Sequence, residues 1–334
     1  METMSLQTMT RRGFLQTSAA ALASTVTLRS AKAATVLRWG TVLAPNHPAA
    51  MMIERIAKEV TERTGGSVEI QSFPGGQLGS SRDLIESTST GAIHIVDEGG
   101  AQFGQFVPQM SIVEAPYLWR DPSHLTRALS SPLMDEFNKT LVERRSMRII
   151  GTVYYGTRHL TSGNKPIKTV DDMKGFKLRI PEVDTFRTMA EAWGARPTPL
   201  NIGELYLALS QGVVDGQENP LPTILSAKIN EVQKYLILTG HVLTPRPIAV
   251  NEPAWQALKP SERDIILAAV KTHGAWQDKE IISQEASLLG TFRDGGMTVI
   301  EPDIESFRKP VVAAILAKYE QKWGKGLWER IAAL

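Results

Sequence analysis

From residue 36 onward the chain switches between two hydrophobic periods. Val36 to Val42 is an apolar run that Pro45 cuts, and it reads as a first strand. Met52, Ile53, Ile56 and Val60 lay an apolar stripe along a helix predicted at 49–64, which Gly65-Gly66 ends. Val68 and Ile70 begin a second strand before the turn at Pro74-Gly75-Gly76. Ser80 or Ser81 caps a helix reaching Thr88, and Ile93 to Val96 reads as a buried strand. This β-α-β-α-β run marks an α/β domain.

Pro122 opens helical segments to about Arg145, and Met147 to Tyr154 returns as a strand. A second α/β unit follows: strand Lys177–Ile180, helix 184–193, strand Arg196–Leu200, helix 203–211 and a short strand Val213–Gln217. Lys234–Thr239 and Ile248–Asn251 are predicted as two strands separated by the segment His241–Pro247, which would cross back to the first domain. Ser261 and Asp264 fit the N-cap and N3 positions of a helix that need not stop before Phe292. At 1.5 Å per residue such a helix is about 45 Å long, so it has to lean on both domains. A strand at Met297–Ile300, a helix from 303 to about 322 and an amphipathic tail, Leu327–Leu334, close the chain.

The first 33 residues have another character. Thr10-Arg11-Arg12-Gly13-Phe14-Leu15 precedes a weakly apolar run from Ala19 to Leu28, and Ala31-Lys32-Ala33 places small residues where a signal peptidase reads. This predicts a secretory leader at 1–33, with the twin arginine pointing to the Tat route and a mature chain in the periplasm. Of 37 basic and 35 acidic residues the leader takes Arg11, Arg12, Arg29, Lys32 and Glu2, which turns a net charge of +2 into −1. A nucleic-acid partner is excluded, because polyanion binding needs a concentrated basic surface. The lack of cysteine removes thiolate catalysis, Cys-ligated metals and a lipoprotein anchor. The six histidines form no close His-x-x-x-His pair, and neither a metal nor a cofactor is predicted.

Candidate chemistry is sparse. Gly75-Gly76 and Gly79 read as a turn more readily than a phosphate nest, and His47-Pro48 is either a ligand donor at a helix start or a helix-entry turn. The polar segment Asp215-Gly216-Gln217-Glu218-Asn219-Pro220 falls at the end of a short strand, the edge that faces the cleft in an open α/β sheet. Gln217 and Asn219 are its candidates. In Phe176-Lys177-Leu178-Arg179-Ile180-Pro181 the apolar residues alternate inward and leave Arg179 on the other face, where its guanidinium can hold a carboxylate bidentately. Arg158, after Tyr154-Tyr155-Gly156, is a second candidate. Either arginine could instead pair with a protein carboxylate.

Asp172 to Pro181 and the long stretch from Glu204 to Pro220 together resemble the DctP family, the extracytoplasmic solute receptors of tripartite ATP-independent periplasmic (TRAP) transporters. The likeness extends to His47-Pro48, Pro74 to Gly79, Gly156-Thr157-Arg158, Thr239-Gly240-His241 and Lys322-Trp323-Gly324. The resemblance implies a two-lobed periplasmic-binding-protein fold of α/β class, with an interlobe cleft, hinge strands and a long helix spanning both lobes. Lobe I would take 34–155 and about 244–284, and lobe II 156–243 and about 285–334. The family's carboxylate-clamping arginine falls on Arg179, its second cleft arginine on Arg158 and its cleft asparagine on Asn219. The aromatic that some sialic-acid binders present falls on Ile202, which argues against a bulky sugar acid. Asp97 and Glu98 stand where related receptors carry smaller residues; with Trp39 and Tyr155 they suggest a ligand with hydroxyls or an extended body. The implied function is capture of a small organic acid, a C4-dicarboxylate or related hydroxy or oxo acid, by a monomer that delivers it to the two integral membrane subunits. A uronate-type sugar acid is an alternative, as is a chemosensory receptor using the same cleft. A secreted enzyme would need a nucleophile–base pair or metal set that the sequence does not present. Truncating Arg179, Arg158 or Asn219 is expected to cost binding and leave folding intact.

Overall fold

Among residues 34–334, which the computed structural model describes, nine strands share one sheet. The predicted leader and its arginine pair lie outside the described residues. The strands are β1 (Thr35–Gly40), β2 (Val68–Phe73), β3 (Ile95–Asp97), β4 (Met147–Ser162), β5 (Lys177–Ile180), β6 (Arg196–Pro199), β7 (Gly216–Pro220), β8 (Tyr235–Asn251) and β9 (Thr298–Ile300). Their order is β2-β1-β3-β8-β4-β7-β5-β6, with β9 beside β8. β1 runs parallel to β2 and β3, and β5 parallel to β6 and β7. These two parallel wings are the sheets of two lobes, and the long antiparallel pair β4–β8 joins them.

The helices are α1 (Pro48–Arg63), α2 (Ser81–Thr90), α3 (Gly100–Phe103), α4 (Pro122–Leu129), α5 (Pro132–Arg145), α6 (Asp184–Ala192), α7 (Ile202–Ser210), α8 (Leu221–Ser226), α9 (Glu252–Ala257), α10 (Pro260–Asp294), α11 (Ile304–Trp323) and α12 (Leu327–Ala332). The 35 residues of α10 span about 50 Å. Its first half buries Ile266, Ala269 and Val270 with Ile53 and Ile56 of α1 and Leu37 of β1. Its second half buries Leu288 and Phe292 with Leu205 of α7 and Ile224 of α8. One helix therefore serves the cores of both wings, as its length required.

Four boundaries differ from expectation. β4 continues past Tyr154 to Ser162, because bulges near Ile149–Gly151, Tyr154–Gly156 and Arg158–Leu160 absorb the glycines that read as breaks. Gly156, at φ +126°, takes a conformation that L side chains rarely adopt, and an added Cβ would meet Pro220 Cβ at 2.8 Å. β8 is one strand where two were expected. Pro245 and Pro247 fall between the stretches of β8 that pair with β9 and with β3, and Pro247 still offers its carbonyl to Glu98 N at 3.2 Å, so their missing N–H breaks no ladder. β7 lies three residues further on than expected and is the polar run itself. α10 starts at Pro260, which has a fixed helical φ, and Lys259 N donates to Glu262 Oε2 at 2.9 Å, taking the place of the expected Ser261–Asp264 box.

Candidate functional site

The parallel strands of both wings aim their carboxyl ends at one cavity of about 410 Å³. Its wall takes Val42 and Leu43 after β1, Gly75 and Gly76 after β2, and Glu98 and Gly99 after β3 from one wing. From the other come Pro181 and Glu182 after β5, and Leu200 and Asn201 after β6. The crevice beyond the carboxyl ends is where open α/β sheets bind ligands, since loops there diverge and helices start. The first turns of α2 and α7 also line it. Each already has its own carboxylate in a capping box, Asp83 with Ser80 and Glu204 with Asn201, so these helix ends offer little net positive field.

Arg179 of β5 is buried in the wall, and its Nε and Nη2 donate to the Leu200 carbonyl at 2.9 and 2.6 Å. No carboxylate pairs with it among the described residues. Burial pulls its pKa down to about 10, with Glu218 opposing and Arg158 adding to the effect. A guanidinium in that state gains from an incoming anion.

Arg158 of β4 is committed to protein. Its Nε reaches Glu218 Oε2 at 2.5 Å, and its Nη2 donates to Glu218 Oε1 at 3.0 Å and Asn219 Oδ1 at 2.9 Å. Burial works against the Arg158 charge, and the Glu218 carboxylate outweighs it, so the pKa rises. Glu218 also meets His241 Nε2 at 3.0 Å. Asn219 donates from Nδ2 to Gln217 Oε1 at 2.5 Å, and Gln217 Nε2 donates to Thr161 Oγ1 at 3.2 Å. This closed network lets the polar β7 lie fully buried at the sheet centre.

Of the residues singled out in the sequence, Arg179, Arg158, Asn219, Glu98, Tyr155 and Ile202 stand on the cavity wall. Trp39, Asp97, Gln217 and His47 stand behind it. Trp39 is fully buried, with Nε1 donating to Asp97 Oδ1 at 2.8 Å. Asp97 holds Arg246 Nε at 2.5 Å, so both residues brace the wall from behind. His47 Nδ1 accepts from Ala49 N at 3.1 Å, and its Nε2 lies 3.3 Å from Thr223 Oγ1; burial and then Arg246 lower its pKa to about 3. It is a neutral helix cap and the helix-entry reading describes it. Tyr155 bonds Thr223 Oγ1 at 2.6 Å and lies under the Arg246 guanidinium at 5.1 Å.

Two buried charged residues of the wall escaped the sequence reading, Arg246 and Glu114. Arg246 sits in Pro245-Arg246-Pro247, a charged residue between two prolines in an otherwise apolar stretch, which was a usable signal. Glu114 lies in a 3₁₀ segment, Pro108–Glu114, with no pattern to mark it. Its Oε2 accepts from Ala101 N at 2.9 Å, and burial raises its pKa to about 7 against the pull of Arg158. Among the described residues no group of three His, Asp or Glu side chains could hold a metal, and no helix is long and apolar enough to cross a membrane.

Comparison with known proteins gives one answer. The chain is 32% identical over 305 residues to the sialic acid-binding periplasmic protein SiaP of Vibrio cholerae, covering 91% of this chain and 94% of that protein. The structure of a TRAP periplasmic solute binding protein from a Polaromonas species, bound to D-erythronate, superimposes with TM-score 0.85 at 32% identity, covering 90% of this chain and 99% of that one. Another, from Sulfurospirillum deleyianum with bound succinate, gives TM-score 0.84 at 28% identity, covering 90% and 99%. The pattern of bacterial extracellular solute-binding protein family 7, DctP, matches residues 39–322, and with the two-winged sheet, the shared long helix and the cavity between them it places this chain in that family.

Proposed function

We propose that this protein is the periplasmic receptor of a TRAP transporter, that it captures a small organic acid in the cavity between its lobes, and that it passes the acid to the transporter's membrane subunits. The observation that carries the mechanism is Arg179, a buried guanidinium on the wall with no carboxylate partner of its own. An acid's carboxylate supplies the missing counter-ion, and enclosure strengthens the charge-assisted pair. The Leu200 carbonyl fixes the guanidinium plane, while Arg158 and Asn219, locked by Glu218 and Gln217, present a rigid polar flank. The lobe division reads as 34–155 with about 244–284, and 156–243 with about 285–334. A Tat-type leader would export the chain, which would work as a monomer without a cofactor.

Calorimetric titration tests the clamp. Arg179→Ala is expected to raise Kd about 30-fold to several thousand-fold, the span that 2–5 kcal/mol covers. Arg179→Lys recovers part of this, since an ammonium cannot reproduce the guanidinium fork. The apo Arg179→Ala protein should lose only the bonds to the Leu200 carbonyl, about 1–3 kcal/mol, and not the larger amount that a broken buried ion pair costs. Binding within threefold of wild type would place the clamp elsewhere.

A further inference from the structure

The buried charges of the cavity wall are unevenly matched. Arg158 is taken by Glu218 and Arg246 by Asp97, and Glu98 Oε2 lies 3.6 Å from Arg246 Nη1. That leaves Arg179 as the one buried guanidinium of the wall without a carboxylate, among the described residues. Against this single open positive charge stand two further buried carboxyls on the same wall, Glu98 and Glu114. Glu98 Oε1 has no hydrogen-bond partner. Glu114 has one recorded bond, from Ala101 N.

Among the described residues, a ligand carboxylate on Arg179 uses the only buried cation of the wall that lacks a carboxylate; Arg82, also on the wall, is exposed and pairs with Glu86. A second carboxylate on the same ligand, held in the inner part of the cavity, would face a wall whose other buried cations, Arg158 and Arg246, are already shared with Asp97, Glu98 and Glu218. There it would be desolvated without a partner, beside two carboxyls, where low dielectric magnifies like-charge repulsion. A hydroxyl has the opposite fate: it donates its proton to a carboxylate oxygen and keeps lone pairs for a donor. Burial raises both carboxyls, Glu114 to about 7, so near neutral pH Glu114 can also carry a proton and donate to a hydroxyl.

We propose that the cavity selects an acid with one carboxylate and a neutral, polyhydroxylated remainder, and that Glu98 and Glu114 set this preference by bonding hydroxyls and refusing a second anion. The proposal rests on the Arg179 pairing above. Because relatives of this fold hold both a hydroxy monoacid and a dicarboxylate, the choice lies in wall side chains and not in the architecture.

Two ligand pairs test it on the wild-type protein by calorimetric titration: D-galactonate against galactarate, and D-erythronate against meso-tartrate. Within each pair the chain is the same and the far end changes from CH₂OH to carboxylate. The expected result is at least tenfold tighter binding of the monoacid in one pair, and a gap that shrinks at least threefold in Glu98→Gln or Glu114→Gln. In both pairs a diacid bound within tenfold of its monoacid, with Arg179→Ala abolishing binding, overturns this proposal and leaves the clamp standing. A gap that neither Gln variant reduces removes Glu98 and Glu114 from the selection. Binding indifferent to Arg179→Ala overturns the clamp and this proposal together, and no binding of any of the four acids overturns this proposal.

Discussion

Arg179 and Arg158 look alike in the sequence, each a lone arginine beside a strand, and tertiary contacts give them different work. Arg179 has a carbonyl and no carboxylate, whereas Arg158 is bound on two edges by Glu218. The expectation that folding survives Arg158→Ala is therefore withdrawn: the truncation strands Glu218 in the core, a loss of about 3–5 kcal/mol for a broken buried pair. Glu114 carries a prediction of its own. Its pKa is raised from 4.5 to about 7 by burial, so its contribution to stability is fully present below pH 4.5 and is lost as pH rises through 7. At about 1.4 kcal/mol per pH unit this amounts to roughly 3 kcal/mol. Apo wild type should lose that much relative to Glu114→Gln between pH 4 and pH 8, read from urea unfolding at each pH. Parallel stability profiles would mean that Glu114 is solvated in the unliganded protein.

At the level of elements, periodicity located helices such as α1 and the edge strand β2 well, because their apolar residues face a core directly, while the short α3 and α9 had no such pattern. β7 was displaced because its buried side chains, Gln217, Glu218 and Asn219, are polar and are satisfied by partners on other strands (Arg158, His241 and Thr161) and so carry no apolar signal, while the apolar Val213 is half exposed. β8 was split because prolines read as breakers unless the strand's unpaired edge is known. The β4 bulge at Tyr154–Gly156 frees backbone groups that the ladder cannot use, and α10 meets them. Tyr154 N donates to Asp278 Oδ1 at 2.7 Å, Thr157 N to Glu285 Oε1 at 2.5 Å, and Gln277 Nε2 donates to the Tyr154 carbonyl at 2.6 Å. Glu285→Ala leaves a partly buried N–H unpaired and should cost about 1–3 kcal/mol in urea unfolding, with Glu285→Gln milder because its amide oxygen still accepts. Equal stability of Glu285→Ala and wild type would show that water replaces the carboxylate there.

Across the whole molecule, β4 and β8 are the connections along which the two wings can turn, and α10 leans on both. Ligand that bridges the cavity is expected to draw the wings together, with a smaller radius of gyration in solution scattering at saturating acid; superimposable curves with and without acid would mean the cavity is already closed. Read alone, the sequence was enough for the α/β class, for most elements to within a few residues and for the family, and it singled out Arg179 as a candidate anion partner. It could do so because helical and strand periods are local, and because the long run ending in Gln217-Glu218-Asn219-Pro220 is distinctive. Only the tertiary structure decided which polar residues face the cavity and which stand behind it. Trp39, Asp97, Gln217 and His47 lie within a few residues of the wall in sequence, yet their side chains bond inward, while Glu114 comes to the wall from a segment with no local mark and Arg246 from one marked only by its flanking prolines. Whether a charge is free or paired depends on partners 60 residues away for Arg158 and 149 residues away for Arg246. A one-dimensional pattern does not contain that pairing, because it is fixed only when the strands take their order in the sheet.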